Sequence, residues 1–308
     1  IYMRILFTGG GGAGSEALWK SLNKKYTLFF ADAVLDNIDK TIPIGSRVEI
    51  PLASSKLYLE SIKSVCDENE IDLIVPTVDE ELTQFELFLN KDGPEIFLPH
   101  KNFVRLMLNK YNCAQAIKSS GLTAPKTFTV DKASKMGFPL VVKPKTGRGS
   151  RGVRIVNSLK ELNAYKILHP TNEEDLIIQE LAIGIEYTVL VSANKKGYLN
   201  AIIPVKVKQK KGITIQAKID MNSLIIEYAK NFHSNFRTSG IYNIQCILTQ
   251  SGIVYPFEIN PRISTTFCLG IAAGFDPFEL YFNESQEEEL FVPTNELSLQ
   301  RNWVNNIY

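Results

Sequence analysis

Apolar stretches alternate with stretches of helical spacing along the first hundred residues of the chain. Short runs of consecutive apolar residues predict buried strands, and apolar side chains three and four positions apart predict the helices between them. The predicted strands are Arg4–Thr8, Tyr26–Ala31, Arg47–Ile50, Asp72–Pro76 and Ile96–Leu98, and the predicted helices are Ser15–Asn23, Tyr58–Asn69 and Asp79–Leu89. This alternation predicts a parallel sheet flanked by helices, whose ligands would meet the carboxyl ends of the strands.

The pattern changes after a helix predicted over Asn102–Ser119, which Gly121 closes and Pro125 follows. Short strands then come in quick succession, and Asn194–Gly197 has the composition of a hairpin turn. The strands are predicted at Lys126–Val130, Leu140–Lys143, Val153–Val156, Leu176–Gln179, Glu186–Ala193, Leu199–Gln209 and Ile213–Ile219. The helices of this part are predicted at Leu159–Ile167, Ser223–Phe232, Phe267–Ala273 and Pro277–Asn283.

Composition limits the function classes that the chain can belong to. Its 308 residues suffice for two domains or for one domain with a mobile subdomain, and 44% hydrophobic with 22% charged residues is ordinary for a globular protein. A formal net charge of +1 gives no long-range attraction to nucleic acid or an anionic membrane, so we expect neither as a partner. The sequence shows no apolar run of membrane-spanning length and no signal-peptide pattern, so we expect a cytoplasmic protein. Its cysteines are widely separated, so we expect reduced thiols.

Polar side chains interrupt two apolar strands that precede Arg262 and that a tight Gln-Ser-Gly turn joins. Gln245 lies on the first strand, and Glu258 and Asn260 lie two apart on the second, so these two project to the same face. Three converging oxygen donors suit a hard cation such as Mg²⁺ and the phosphate oxygens that it carries. The alternative is an edge hairpin with solvated polar residues, but the apolar residues that alternate with them favour a packed opposite face.

A glycine-rich loop joins two further predicted strands in the segment Phe138–Val156. The first strand ends at Lys143, and Gly147, Gly149 and Gly152 follow it. Glycines let backbone N–H groups approach an anion, and the lysine adds a positive charge beside them, which suits a flap over a triphosphate. The loop is not a Walker P-loop, because no Gly-Lys-Ser/Thr ends it and no helix follows. A surface hairpin with solvated basic residues is the alternative.

The strand that follows this loop reaches Glu180, and a short link leads to Glu186 on the next strand. Apolar residues beside free backbone groups suit an adenine edge, and a carboxylate at the second position suits ribose hydroxyls. Many strand pairs have such a connection, so this pattern is weak when taken alone.

The turn Gly9–Gly14 follows the first strand, opens a helix and satisfies G-x-G-x-x-G, and Asp32 ends the second strand. This combination is typical of dinucleotide sites and supports a nicotinamide-dependent dehydrogenase or epimerase. The alternative, which we favour, is that the glycines allow a tight strand-to-helix turn or a close approach to a substrate anion. No Tyr-x-x-x-Lys catalytic pair accompanies the turn.

In their order and spacing, the segments FPLVVKP…GRGSRG, IIQEL…EYTV and NIQ…FEINPR resemble the ATP-grasp superfamily, in particular the branch of the carbamoyl-phosphate synthetase large chain and D-alanine–D-alanine ligase. The resemblance covers nearly the whole chain. It implies an α/β fold (α+β overall), with an N-terminal parallel βαβ domain over residues 1–98 and an ATP-grasp domain over residues 99–308. A mobile β-rich lid subdomain is expected at about residues 124–182.

The resemblance also implies roles for single residues. Two lysines meet the phosphates, the glycine loop covers them, a hinge that begins at Glu180 holds adenine, and Glu186 contacts the ribose. The implied nucleotide-binding residues are Lys110, Lys143, Gly147, Arg148, Gly149, Ser150, Glu180, Leu181, Ala182 and Glu186. The implied metal ligands are Gln245, Glu258 and Asn260, with Glu258 bridging two ions in the family. The implied catalytic residues are Arg262, which holds the transferred phosphoryl group or the charged intermediate, Lys218, which reaches the γ-phosphate, and Asn260.

The activity implied by the resemblance is that of an ADP-forming carboxylate–amine ligase that uses ATP and Mg²⁺ or Mn²⁺. A carboxylate or bicarbonate would attack the γ-phosphate, and an amine or similar nucleophile would displace phosphate from the acyl phosphate. The expected partners are a small-molecule carboxylate and amine and, as a prediction, a second copy in a homodimer. A non-catalytic ATP-binding regulatory subunit is a further alternative. Four residues after the fourth predicted strand would either orient an amine-bearing substrate or serve as the N-cap and acidic first turn of the next helix: Thr77, Asp79, Glu80 and Glu81.

Overall fold

The computed structural model describes residues 2–87, 93–169, 171–287 and 289–302. A five-stranded parallel sheet opens the chain, in the order β3-β2-β1-β4-β5, as the alternating pattern predicts. Its strands and helices are β1 (Arg4–Thr8), α1 (Ser15–Leu22), β2 (Thr27–Asp32), β3 (Arg47–Glu49), α2 (Tyr58–Glu68), β4 (Leu73–Val75) and β5 (Glu95–Ile96). The glycine turn lies between β1 and α1, at the carboxyl edge of this sheet.

A four-stranded antiparallel sheet follows two helices, in the order β6-β9-β7-β8. These elements are α3 (Lys101–Leu108), α4 (Lys110–Ser119), β6 (Thr127–Thr129), α5 (Ala133–Met136), β7 (Leu140–Pro144), β8 (Arg154–Val156), α6 (Leu159–Leu168) and β9 (Leu176–Glu180). The sheet packs on α5 and α6 around its own apolar core, which includes Val142, Leu162 and Ile178. We refer to residues 124–182 as the lid.

The third sheet has six strands in the order β14-β13-β10-β11-β12-β15 and is antiparallel throughout. Its elements are β10 (Gly184–Ala193), β11 (Leu199–Lys211), β12 (Ile213–Ile219), α7 (Ser223–Asn235), β13 (Gly240–Thr249), β14 (Val254–Asn260), α8 (Phe267–Ala272), α9 (Pro277–Phe282) and β15 (Ser298–Gln300). The predicted hairpins are present: β10 pairs with β11, and β13 pairs with β14 across a turn that contains Gly252.

Aromatic side chains join the first sheet to the third. Phe7 on β1 and Phe97 just after β5 both meet the ring of Phe278 on α9, with ring centroids 6.0 and 5.3 Å apart. The same core cluster contains Ile203 from β11 and Phe267 from α8. Burial of each such ring stabilises the folded protein by about 1.5–3 kcal/mol. The shared core therefore fixes the first sheet against the third and gives the cleft between them a defined shape.

Two predicted helices differ from the observed structure. The helix predicted over residues 102–119 is interrupted at Asn109, whose backbone is extended and whose side chain accepts hydrogen bonds from the N–H groups of Tyr111 and Asn112. The asparagine therefore ends α3 and caps α4. The helix predicted over residues 79–89 consists of two short 3₁₀ turns, at Asp79–Glu81 and Gln84–Leu87, and residues 88 and 89 lie outside the described part of the chain.

In the described residues, no helix combines the length and the apolar character needed to cross a membrane.

Candidate active site

Two neighbouring cavities lie where the three sheets meet. The larger cavity, of about 490 Å³, is bounded by the Gly9–Gly14 turn, the end of β14 and the residues after it. The smaller cavity, of about 290 Å³, lies between the lid and the third sheet. Four charged residues line both cavities: Arg148, Arg151, Lys210 and Glu258. These four side chains therefore lie at the boundary between the cavities, where a ligand in the smaller cavity would meet one in the larger cavity.

Lys143 is the most deeply buried charged group of the smaller cavity, with 4% of its surface exposed. It projects from β7, and its Nζ donates to Gln179 Oε1 and to the carbonyl oxygen of Phe257, at 2.8 Å each. Gln179 is itself held by Thr127, to which its Nε2 donates at 2.8 Å. Burial lowers the pKa of Lys143 to about 8, against an opposing contribution from Glu258. An anion in the cavity would supply the countercharge that this lysine lacks.

Lys110, the first residue of α4, contacts both the glycine loop of the lid and Glu258 on β14. Its Nζ donates to the carbonyl oxygen of Gly147 at 2.6 Å and lies 3.1 Å from Glu258 Oε1. The side chain is only 9% exposed, and the cap at Asn109 sets where the helix begins and hence where the lysine projects. The structure therefore brings both predicted nucleotide-binding lysines to the smaller cavity.

The glycine loop of the lid adopts backbone angles that demand glycine. Gly147, Gly149 and Gly152 have φ of 114°, 66° and 70°, and Ser150 between them has φ of 58°. A Cβ on Gly152 would collide with the ring of His169. Gly147 lines the smaller cavity and Gly149 lines the larger one, so the loop borders both, as the sequence pattern predicts.

Arg148 of this loop reaches across to the first sheet. Its Nε donates to the carboxylate of Glu80 at 3.0 and 3.2 Å. The predicted contact of Arg148 with nucleotide stays a prediction, because the guanidinium already has this partner in the described structure. The loop is thereby attached to both sides of the cleft.

The hinge between the lid and the third sheet lines the smaller cavity with Glu180, Leu181 and Ala182. Glu180 Oε2 accepts a hydrogen bond from the backbone N–H of Lys126 at 3.1 Å, and the Glu180 N–H donates to the Lys126 carbonyl, which attaches the hinge to the start of β6. Apolar side chains form another part of the wall and suit a flat aromatic base. They include Val141, Val153, Ile155, Ile247 and Phe257.

The β13–β14 hairpin places the predicted metal ligands on one face. Gln245 lies directly opposite Glu258, and Asn243 lies directly opposite Asn260. The Nδ2 of Asn260 donates to Asn243 Oδ1 at 3.3 Å, so the Asn260 amide oxygen is the atom left to face a cation. One carboxylate and two amide oxygens form a donor set that fits Mg²⁺ or Mn²⁺. No cluster of three His, Cys, Asp or Glu side chains with metal-binding geometry occurs in the described residues.

Arg262 lies at the far end of the hairpin, in the wall of the larger cavity. Its Nε donates to the carboxylate of Asp79, and its Nη1 donates to the carbonyl oxygen of Ile263 at 3.2 Å. Both side chains of the ion pair are largely buried, with 12% and 13% of their surfaces exposed. Asp79 follows β4, so this pair connects the first sheet to the third at the cavity.

Glu81 explains the other part of the acidic run after β4. It is 2% exposed and accepts hydrogen bonds from the backbone N–H groups of Thr77 and Val78 at 2.9 Å and from the Thr8 hydroxyl at 2.5 Å. Desolvation raises the pKa of Glu81, and these hydrogen bonds oppose the rise. Glu81 therefore stabilises the backbone after β4 rather than orienting a substrate. Asp79 and Glu80 instead pair with Arg262 and Arg148 of the site.

Lys218 does not lie where its predicted role requires. It is on β12, outside both cavities, and its Nζ pairs with Glu296 at 2.5 Å. Lys210, near the end of β11, lines both cavities instead. Local sequence patterns do not single out Lys210, because β11 and β12 together carry five lysines, at positions 206, 208, 210, 211 and 218. Irregular pairing of the two strands beside Gln209 changes which of these lysines face the cleft.

The first glycine turn serves close packing at the wall of the larger cavity. Gly9 has φ of 65°, and a Cβ on Gly11 would stand 2.5 Å from the Cβ of Asn37. The Gly11 N–H donates to Asp32 Oδ2 at 2.9 Å, and the Val34 N–H donates to Asp32 Oδ1 at 3.1 Å. The aspartate thus holds the turn, which agrees with the tight-turn interpretation rather than with a ribose contact.

A family model described as the ATP-grasp domain matches residues 107–266, which is more than half of the chain. The matched range contains the lid, the hinge and the β13–β14 hairpin. The chain belongs to the ATP-grasp family. The predicted family, the mixed α/β fold and the class of ATP- and Mg²⁺-dependent ligase are confirmed at this level.

Individual relatives are similar at low identity. A formate-dependent phosphoribosylglycinamide formyltransferase from Bacteroides thetaiotaomicron is 25% identical over 299 residues, covering 90% of this chain and 76% of the relative. A carbamoyl phosphate synthase large chain from Clostridium botulinum is 28% identical over 148 residues, covering 44% of this chain and 14% of the relative. The crystal structure of a biotin carboxylase–β,γ-ATP complex from Campylobacter jejuni superposes with a TM-score of 0.70 and 16% identity, covering 91% of this chain and 70% of that one. This last likeness concerns the fold.

Proposed function

We propose that this protein activates a small carboxylate, or bicarbonate, with ATP as an acyl phosphate and transfers the acyl group to an amine, releasing ADP and phosphate. The observation that carries the proposal is the pair of cavities that meet at Glu258. The smaller one has the apolar walls and buried lysine that a nucleotide needs, and the larger one has room for two small substrates. A γ-phosphate at the boundary would face the attacking carboxylate.

The nucleotide is assigned to the smaller cavity. The apolar walls and the hinge at Glu180–Ala182 would hold adenine, Glu186 would accept from the ribose hydroxyls, and Lys110 and Lys143 would meet the phosphates. The glycine loop with Gly147, Arg148, Gly149 and Ser150 would cover the phosphates and keep water away from a reactive intermediate. Positioning of this kind supplies much of the catalysis in phosphoryl transfer.

Gln245, Glu258 and Asn260 would ligate divalent metal, which would neutralise the negative charge that develops on the phosphate oxygens. Arg262, fixed by Asp79, would hold the transferred phosphoryl group or the acyl phosphate on the side of the larger cavity. Arg262 and Asn260 keep their proposed catalytic roles, whereas Lys218 has none at its observed position.

The substrates are proposed at the level of class. The name of one relative specifies formate and phosphoribosylglycinamide, and on that ground formate belongs in any panel of carboxylates tested here. We further propose the division into an N-terminal domain over residues 1–98 and an ATP-grasp domain over residues 99–308, a lid that moves, a cytoplasmic location and a homodimer. Neither nucleic acid nor a membrane is proposed as a partner.

The test is release of ADP and phosphate from Mg-ATP across a panel of amino acids, small carboxylates and bicarbonate, each paired with amine acceptors. Turnover that depends on both substrates and is lost in Glu258→Gln supports the proposal, with Glu174→Gln in the exposed part of the lid as the matched control. ATP binding that needs Glu258 but gives no turnover with any pair would favour the regulatory alternative. Tight NADH binding without ATP binding would overturn the proposal in favour of a dehydrogenase.

A further inference from the structure

Lys210 places a fixed positive charge among the groups proposed to bind metal and ribose. Its Nζ lies 2.7 Å from Glu186 Oε1 and 3.0 Å from Gln245 Oε1, and 5.6 Å from the centre of the Phe257 ring. The side chain is 24% exposed. It crosses the face of the third sheet from β11 to β13, over β10, which lies between them.

The donor set of the proposed metal site carries little negative charge. Among Gln245, Glu258 and Asn260 only the glutamate is charged, and Lys110 already lies 3.1 Å from it. Gln245 is neutral, and its oxygen accepts from the Lys210 ammonium. The described groups near this point include the ammonium groups of Lys110, Lys143 and Lys210 and the carboxylates of Glu186 and Glu258, which leaves no excess negative charge.

A second divalent ion is unfavourable beside this lysine. Magnesium binds oxygen at about 2.0–2.1 Å, so an ion on Gln245 Oε1 would approach an ammonium that is 3.0 Å from the same oxygen. Repulsion between two such charges a few ångströms apart is stronger in a partly buried site than in bulk water. An ammonium held at this point instead provides the positive charge that a second ion would bring to the phosphates.

We propose that Lys210 takes the place of the divalent ion that Gln245 would bind, one of the two that the fold family implies, so that this site holds a single metal ion, on Glu258 and Asn260, together with the nucleotide. This inference rests on the proposed function, because it places the phosphates of ATP at the boundary of the two cavities. It also makes metal binding depend on nucleotide, since Lys110 and Lys210 already engage Glu258 and Gln245 in its absence.

The test counts Mn²⁺ bound per chain by electron paramagnetic resonance of the free ion. Protein and the non-hydrolysable analogue β,γ-imido-ATP are mixed in equal amounts, and a titration of the analogue alone is the reference. We expect one bound Mn²⁺ per complex for the wild-type protein, and Mn²⁺ affinity at least about tenfold weaker without the analogue. Lys210→Gln is expected to bind a second Mn²⁺, whereas Lys210→Arg, which keeps the charge, is expected to bind one.

Lys208→Gln is the matched control, because Lys208 lies on the same strand with its side chain exposed, and it is expected to bind one ion. Two Mn²⁺ bound to the wild-type complex would overturn the inference and leave the proposed function standing, as would a Lys210→Gln complex that still binds one. Should Lys210→Gln fail to fold, the wild-type and Lys210→Arg counts decide. A wild-type protein that does not bind the analogue at all would contradict the proposed function and this inference together.

Discussion

Single side chains of the site are held by partners from different sheets, and Lys143 shows the consequence most clearly. Its ammonium has two neutral oxygen partners and deep burial, so its charge is only partly compensated before a ligand binds. Burial also lowers the pKa of Lys143 to about 8, where titration can be followed under conditions that keep most proteins folded.

ATP binding is expected to take up a proton near pH 8–9. The pKa of Lys143 is about 8 in the free protein, and phosphate oxygens nearby favour its charged form, so its pKa rises on binding. Affinity for ATP should therefore fall as the pH rises above about 8. Calorimetry at pH 8.5 in buffers of different ionisation enthalpy measures the uptake, which Lys143→Arg should abolish. A wild-type protein that binds ATP without proton uptake would contradict this assignment.

The Asp79–Arg262 pair gives a second prediction at this scale. Asp79→Asn removes the charge that orients the guanidinium, and a displaced group of this kind typically costs about 10²-fold in rate. We expect kcat to fall while the affinity for β,γ-imido-ATP stays unchanged, because Asp79 pairs with Arg262, which lines the larger cavity and not the smaller one. Asp131→Asn, at an exposed site of the lid, is the control. An equal loss of nucleotide affinity would show that the pair serves the smaller cavity.

Two helix caps link the elements to the site. Asn109 caps α4 and Asn222 caps α7, each by accepting from two backbone N–H groups. Only α4 carries a proposed nucleotide contact, Lys110, at its first position. The two caps thus have the same local structure and different consequences for the site.

Replacing either cap with alanine is expected to lower stability by about 1 kcal/mol, measured by urea unfolding. Asn109→Ala should also weaken binding of β,γ-imido-ATP, because the first turn of α4 would fray and the backbone of Lys110 would no longer be held in place. Asn222→Ala should leave that binding unchanged. Equal nucleotide affinities in the two variants would contradict the role proposed for Lys110.

The sequence predicted strands better than it predicted which charged residues meet. The β13–β14 hairpin follows from its alternation and turn residues, and Gln245 and Glu258 are opposite each other as that pattern implies. The break at Asn109 was missed, because apolar spacing continues through it and only the cap geometry reveals it. Lys210, Arg148–Glu80 and Asp79–Arg262 depend on how sheets meet and on strand irregularity, which local patterns do not specify.

At the scale of the whole molecule, the lid differs from the rest in how it is packed. It has its own core, whereas the first and third sheets share one. Its attachments to the rest of the protein include the hinge, the contacts of Lys110 with Gly147 and Lys145, the hydrogen bond from Lys143 to the Phe257 carbonyl and the exposed Arg148–Glu80 pair. A unit with its own core and few attachments can move without unfolding.

Hydrogen exchange should therefore slow in residues 124–182 when β,γ-imido-ATP and Mg²⁺ are added, because the nucleotide joins the lid to the third sheet. Exchange in β1, β2 and β4 should change little, since these strands are already fixed by the shared core. Mass spectrometry of peptic peptides measures both regions in one experiment. Protection confined to the first sheet would contradict the placement of ATP beneath the lid.

The most direct test of the central claim follows the oxygen atoms of the carboxylate. With a substrate pair that supports turnover, the carboxylate is labelled with ¹⁸O and the products are analysed by mass spectrometry and ³¹P NMR. Attack of the carboxylate on the γ-phosphate predicts ADP and inorganic phosphate that carries one ¹⁸O atom per turnover. Unlabelled phosphate, or AMP with pyrophosphate, would contradict activation through an acyl phosphate.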